Sequence, residues 1–388
     1  MRRSLPLSFL ILLLLMATVM GGCNLIIEDS EPCAPPPDTR TVVNFIYDYN
    51  MTGDDLFNRH VGSVYLYVFD SKGIYRYRRE SHRAEMRGKV DFSMSFDTTE
   101  IKPGETYQFV AIASANHVGY EASLETPGFT LQTEMMPGIS TIEDYTLKLD
   151  RDDDVNLDFG VVDYKDAYGK SQKMMDTIWT TKPGEVQTVR IPQFDYIPSD
   201  QKQPDHIVDV TIPMMRITNS VTVKLRGALF DENTREDDYN ILIHFPHGNG
   251  TIDFTGNTHP GKKLYYLPLR KKPVVYSNDG MPTGSDDEPE SLKNYGIESV
   301  FGVSRLKADD ESCLQIRDGI TNELIAEIPD FSMFLSSAFD HGMDDQEFLD
   351  REYDFNVDIV LDNAGNPLYA ILSIEVLGWT VRINFTSF

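Results

Sequence analysis

Apolar side chains recur at every second position through much of this chain. In Val90–Phe96 (VDFSMSF), Val90, Phe92, Met94 and Phe96 share one face and polar side chains the other, the period of a half-buried β-strand. Thr41–Tyr49 (TVVNFIYDY) repeats the pattern with Val43, Phe45, Tyr47 and Tyr49. Gly62–Phe69 (GSVYLYVF) is β-branched or aromatic on both faces, which predicts a central strand covered above and below. Asp70-Ser71-Lys72-Gly73 reads as a tight turn, with Ile74–Arg78 returning as the hairpin partner. Further strands are predicted at Tyr107–Ala113, Tyr145–Leu149 and Val186–Ile191, the first and last entered through the turns Lys102-Pro103-Gly104-Glu105 and Lys182-Pro183-Gly184-Glu185. The polar, proline-bearing stretch Tyr196–Asp205 marks a domain boundary near residue 200.

The same style continues beyond it. Strands are predicted at Val208–Ile212, Ser220–Leu225, Asn240–Phe245, Lys263–Leu267, Ser299–Leu306 and Ser312–Arg317, with a short helix at Phe331–Ser337 and an acidic loop at Asp279–Glu290. The C-terminal segment predicts a strand at Tyr353–Leu361, a turn at Asp362–Asn366 and one long strand over Ala370–Phe385. Frequent turns between short alternating segments predict an all-β chain of two tandem β-sandwich domains, residues 41–200 and 201–388. Val221, Val223 and Leu225 alternate as Val64, Leu66 and Val68 do, so one sandwich fold used twice is expected.

The N-terminus breaks the pattern. Arg2 and Arg3 precede an apolar run from Leu5 to Val19, and Met20-Gly21-Gly22-Cys23 follows. The run is short and ends in small residues, as a secretory signal does. A cysteine directly after those residues resembles a bacterial lipobox, with cleavage between Gly22 and Cys23 and acylation of the Cys23 sulfur. Residues 1–22 are then the lipoprotein signal peptide and 23–40 a lipidated tether, stiffened by Pro35-Pro36-Pro37. Acyl chains contribute about 0.8 kcal/mol per buried methylene, so several on one cysteine hold a soluble body at a membrane. After Cys23 no apolar run reaches the length of a membrane-spanning helix.

Composition narrows the function. A chain 41% hydrophobic and 11% aromatic is packed rather than disordered. Its net charge of −26 argues against nucleic-acid binding and against electrostatic adhesion to an anionic bilayer. Only Cys33 and Cys313 accompany Cys23; a disulfide between them and two unpaired thiols are equally open.

Candidate chemistry is sparse. Asp150, Asp152, Asp154, Asn156 and Asp158 alternate like the start of a calcium loop, but the glycine and glutamate such a loop requires are Val155 and Val161. His244 and His247 flank Pro246, which forbids the helix that would aim both at one metal, and only His259 lies nearby. Ser63, Ser220 and Ser304 lack a nucleophile elbow. The paired carboxylates Asp237-Asp238, Asp286-Asp287 and Asp344-Asp345 read as solvated loop charges. Neither a metal nor a cofactor is expected, and nothing argues for catalysis. Asp350-Arg351-Glu352-Tyr353 stands out before a strong strand, read as polar groups at the start of a sheet. Gly378-Trp379 reads as a bend beside a core anchor.

In order, the lipobox at Cys23, NFIYDYNM (Asn44–Met51), SVYLYVFDSKG (Ser63–Gly73), PMMRITNSVTVKL (Pro213–Leu225), LDREYDF (Leu349–Phe355) and IEVLGW (Ile374–Trp379) resemble the fimbrillin-associated anchor lipoproteins, minor fimbrial subunits of the type V pili of Bacteroidia. The resemblance implies two transthyretin-like β-sandwich domains and an outer-membrane lipoprotein exposed at the cell surface, palmitate-bearing at Cys23. It implies a protein that anchors a fimbria at its base, with a role in limiting its length. Its implied partners are major or accessory pilin subunits, joined by strand addition. In related stalk subunits cleavage after an arginine near the first strand opens an acceptor groove. Arg40 is here read as a plain strand-start residue, because a cut there would separate the body from Cys23. Two other classes stay open: a surface glycan-binding lipoprotein and a tip or accessory fimbrial subunit.

Overall fold

The computed structural model describes residues 39–82, 92–115, 129–149, 176–193, 206–227, 230–261, 263–276, 294–337, 342–361, 367–376 and 379–385. Within them the chain forms β1 (Thr39–Ile46), α1 (Phe57–His60), β2 (Ser63–Asp70), β3 (Tyr75–His82), β4 (Met94–Asp97), β5 (Thr106–Ser114), β6 (Phe129–Leu131), β7 (Thr146–Leu149), β8 (Ile178–Thr181), β9 (Gln187–Arg190) and β10 (His206–Arg216). Then follow β11 (Thr218–Gly227), β12 (Tyr239–Phe245), β13 (Thr251–Asp253), β14 (Thr258–His259), β15 (Leu264–Tyr266), β16 (Arg270–Tyr276), β17 (Asn294–Ser304), β18 (Cys313–Asp318) and β19 (Leu324–Ile328). Helices α2 (Phe331–Ser337) and α3 (Asp345–Arg351) precede β20 (Asp354–Leu361), β21 (Pro367–Val376) and β22 (Trp379–Phe385). The fold is all-β, as expected.

The largest sheet runs β3-β2-β5-β8-β10-β1-β4, with β9 beside β5; a six-stranded sheet runs β16-β17-β11-β20-β21-β22. Two smaller sheets run β15-β12-β18-β19 and β14-β13-β7-β6. Alternation in the sequence explains the first core. Val43 and Phe45 of β1, Val64, Leu66 and Val68 of β2, Phe109 of β5 and Ile212 of β10 bury together around Trp179. The other face of β2, Tyr65, Tyr67 and Phe69, enters a second core that also holds Val221, Val223, Phe301 and Val357. Strand β2 is therefore buried on both faces, the reason its sequence carries no polar alternation. Each such side chain contributes roughly 1.5–3 kcal/mol when removed from water.

Several expectations shift in detail. The long strand predicted over Ala370–Phe385 is two strands: β21 and β22 pair antiparallel, with Val376 opposite Trp379. β1 ends at Ile46, and Tyr47 reaches the core from a loop instead. There the Asn50 side chain donates to Tyr47 O (3.0 Å) and Asp54 O (2.9 Å) and accepts from Thr52 N and Gly53 N. Among the described residues of the expected Val90–Phe96, Met94 to Phe96 are in strand, as part of β4. Strands β6, β8, β13, β14, β16 and β19 carry no clear two-residue period and went unpredicted. The strand expected at Val208–Ile212 extends into β10, which pairs in parallel with β1, from Thr39 opposite His206 to Ile46 opposite Pro213. The first sheet thus draws strands from both sides of residue 200. The smallest sheet does the same, since β13 pairs with β7.

Candidate functional site

The first and second sheets meet where β10 ends at Arg216 and β11 begins at Thr218, with Ile217 alone between them. This junction is tied on both sides of that residue. Ile217 N donates to Ile178 O (2.9 Å), and Ile178 N donates to the Thr218 hydroxyl (3.1 Å). The Arg216 guanidinium lies 4.1 Å over the Tyr353 ring and donates from Nε to Thr218 O at 2.7 Å. Beside it Glu352, 5% exposed, accepts Tyr353 N and Asp354 N through Oε1 at 2.9 Å each. Burial pushes its carboxyl up to about 7.

A buried ion pair fixes the next layer. Arg305, at the end of β17, holds Asp350 in α3 through Nε–Oδ1 and Nη2–Oδ2 contacts of 2.7 Å each, and its Nη1 donates to Gly256 O at 2.9 Å. Gln346 completes the lattice, donating to Asp350 Oδ1 (3.1 Å) and Leu306 O (3.1 Å) while accepting Ala308 N (3.0 Å). Asp344 caps α3 by accepting Gln346 N at 2.9 Å. One helix turn from Asp350, Glu347 pairs with Arg351, whose guanidinium lies 4.5 Å from the Tyr49 ring. Asp350 and Glu352, read from sequence as groups at a strand start, are thus interior residues; the distant Arg305 that neutralises Asp350 carried no local signal.

The turn after β12, strand β14 and residues 307–311 line a cavity of about 170 Å³. Phe245 and Thr258 are its buried lining, and His247, His259, Asp309 and Glu311 are exposed around it. His259 Nε2 lies 2.5 Å from Asp253 Oδ2, and His247 Nε2 lies 3.3 Å from Glu311 Oε2. Burial pushes the Asp310 carboxyl up to about 6. The three histidines weighed from sequence do not converge. His244 turns away to stack on Tyr265 at 4.4 Å, with Nδ1 3.8 Å from the Cys313 sulfur. Among the described residues no set of three or more ligating side chains is placed to hold a metal.

The sheet edges differ sharply from one another. β3 carries Arg76, Arg78 and Arg79; β16 carries Arg270, Lys271, Lys272 and Pro273; β4 spans four residues. Charge, proline and short length are the devices that prevent strand pairing at an edge. β22 (WTVRINF) closes the other side of the six-stranded sheet with seven residues and one charge.

Gly22, Cys23 and Cys33 lie outside the described residues, as do the tether, Asp150–Asp158 and Asp279–Glu290. Cys313, on β18, makes no disulfide among the described residues, and burial beside Glu327 pushes its thiol up to about 12. Trp379, expected in the core, lies on β22, described by its backbone. Arg40 is the second residue of β1, opposite Asp97 and Ile207.

Solved structures similar in fold to this chain include the following three. A candidate polysaccharide-binding protein from Bacteroides thetaiotaomicron is 22% identical with a TM-score of 0.62, covering 89% of this chain and 98% of that one. A candidate adhesin from the same organism is 20% identical with a TM-score of 0.61, covering 92% and 100%. The fimbrial anchor protein Mfa2 of Porphyromonas gingivalis is 14% identical with a TM-score of 0.54, covering 89% and 99%. No curated protein sequence matched. The sequence profile of the fimbrillin-A associated anchor proteins Mfa1 and Mfa2 matches residues 29–385. This all-β chain therefore belongs to the fimbrillin-A associated anchor protein family.

Proposed function

We propose that the protein is a non-enzymatic structural lipoprotein, held in the outer membrane by acyl chains on Cys23 and gripping the base of a fimbria at the cell surface. Family membership over residues 29–385 is the observation that carries this reading. Cys23 precedes β1 by a short proline-bearing tether, which suits a body suspended close to a membrane. Fimbrial subunits join by strand addition, in which backbone hydrogen bonds extend an open sheet edge. Among the described edges of the two larger sheets, β22 is a full-length edge with a single charge and no proline, so it is the proposed acceptor for a major or accessory pilin. The two working units are proposed to meet at Ile217 rather than near residue 200, because β10 belongs to the first sheet.

The test is a Cys23→Ala variant in cells that assemble the fimbria. The expected outcome is loss of fatty-acid labelling and release of fimbriae into the medium. Fimbriae that stay equally cell-bound without the cysteine would refute the anchoring role. A tip or accessory position is the competing reading. Immunogold labelling at the end of the fimbria far from the cell would favour it.

A further inference from the structure

We propose that the junction at Ile217 is a proton-operated latch between the two larger sheets, closed while the Glu352 carboxyl carries its proton and loosened when it loses it. The latch is a cluster of polar groups drawn from four segments. β10 brings Arg216, the loop after β1 brings Tyr47, β8 brings Trp179 edge-on to the Tyr47 ring, and the stretch between α3 and β20 brings Glu352 and Tyr353. Tyr47 and Trp179 are each 1% exposed, and Glu352 is 5% exposed.

The charges in this cluster sit side by side without pairing. Arg216 donates from Nε to Thr218 O and lies over the Tyr353 ring, and among the described residues no carboxylate is within 4 Å of it. Glu352 Oε1 accepts Tyr353 N and Asp354 N, and no cation among the described residues is in ion-pair contact with it. The two backbone N–H groups favour a carboxylate there. Burial of a charge without a counter-ion in contact opposes it more strongly, and the carboxyl titrates at about 7. The groups around it keep their charge state across neutrality. Burial holds the Tyr47 phenol far above its ordinary range; it lowers Arg216, which stays charged. Asp354, exposed at the start of β20, adds a negative charge nearby. On α3, Asp350 and Arg351 are already engaged by Arg305 and Glu347.

Loss of the proton leaves a buried carboxylate beside Arg216, and the site has two ways to relieve it. Water enters, which requires the packed elements to part. Or the guanidinium turns toward Glu352 and releases Thr218 O. Thr218 is also the residue whose hydroxyl accepts Ile178 N, next to the bond from Ile217 N to Ile178 O. Two positions on, Ser220 N donates to Tyr353 O at 2.8 Å. Both responses therefore act on the bonds that tie the sheets at Ile217. The direction follows from linkage. A carboxyl raised from 4.5 to about 7 in the closed form holds the latch fully below pH 4.5 and loses that hold as pH climbs to about 7.

The experiment is hydrogen exchange of the purified full-length chain in detergent micelles, read by mass spectrometry from pH 5 to 8 and corrected for intrinsic exchange. The reporters are peptides carrying the amides of Ile178, Ile217 and Ser220, with β2 as the reference. Their protection is expected to fall by up to about tenfold per pH unit between pH 5 and 7 and to level off above. In Glu352→Gln the profile is expected to be flat. Urea at about 0.5 M should leave exchange of the reporters unchanged while speeding that of β2, because a local opening exposes little surface. Protection that does not change with pH in the unaltered chain overturns the proposal. So does a pH dependence that survives in Glu352→Gln, or a urea response equal to that of β2, which would make the change one of global unfolding. None of these results bears on the Cys23 anchor, which is tested separately.

Discussion

Replacing Asp350 with alanine is expected to destabilise the protein severely, and the size of the effect follows from its surroundings. The Arg305 and Asp350 side chains are 7% and 6% exposed, so neither charge has water to fall back on. Removing one partner of a buried pair leaves the other charge desolvated and costs about 3–5 kcal/mol. Gln346 loses an acceptor as well, although Gly256 O still engages Arg305. With a urea m-value of about 3 kcal/mol/M, that loss lowers the denaturation midpoint by roughly 1–1.7 M. The double variant Arg305→Met/Asp350→Leu removes both charges at similar volume and is expected to recover most of the loss, because apolar replacements of buried pairs are often neutral. Equilibrium urea unfolding, followed by fluorescence and by circular dichroism, measures all three midpoints. A midpoint shift in Asp350→Ala below about 0.3 M, or about 1 kcal/mol, would refute the reasoning. So would a double variant as weak as the single one.

Glu352 sets a pH dependence. Its carboxyl is raised from the usual 4.5 to about 7 in the fold, so the native state holds the proton more tightly than the unfolded chain. Stability from this group is greatest below pH 4.5, falls as pH rises to about 7, and is flat above. Glu352→Gln keeps an oxygen for Tyr353 N and Asp354 N, and should flatten that fall, at most about 1.4 kcal/mol per pH unit, in urea midpoints taken from pH 5 to 8; parallel curves would refute it. A β-carbon at Gly296 would sit 2.1 Å from Leu225 O, so Gly296→Ala forces β11 and β17 apart. It should lower stability by more than about 2 kcal/mol, whereas Gly261→Ala, whose nearest atom is 3.8 Å away, should leave the melting temperature unchanged. Prolines placed singly at Arg382 and Ile383 test the β22 edge. Neighbouring residues point their N–H groups to opposite sides, so one variant should reduce pilin co-purification while the other weakens the β21–β22 hairpin.

Much of this fold is legible in side-chain period. β5, β11, β12, β18 and β20 sit within a residue or two of where alternation places them, β2 where a run of β-branched and aromatic residues does, and α2 spans the predicted Phe331–Ser337. Local pattern fails where the partner is distant. The four residues of β8 (IWTT) are buried in succession, so they show no two-residue period. Their role as a tie for Ile217 depends on a contact some forty positions away. Basic β16 reads as surface because half of its strand is an edge. At the cavity, His247 and His259 were visible as residues, but Thr258 was not. Asp350 was visible too, as a charge ahead of a strand; its burial follows from Arg305, and no short-range pattern links the two.

Strand β1 has a mechanical consequence. It lies between β10 and β4, and β10 runs in the same direction, register for register, from Thr39 to Ile46. Tension drawn between the N-terminus of β1 and the C-terminal end of β10, where the chain crosses into the second sheet, acts along the ladder rather than across it. All of its hydrogen bonds then share the load at once, as glued surfaces do when slid instead of peeled. Under such a pull the β1–β10 seam would be the last part of this sheet to give way.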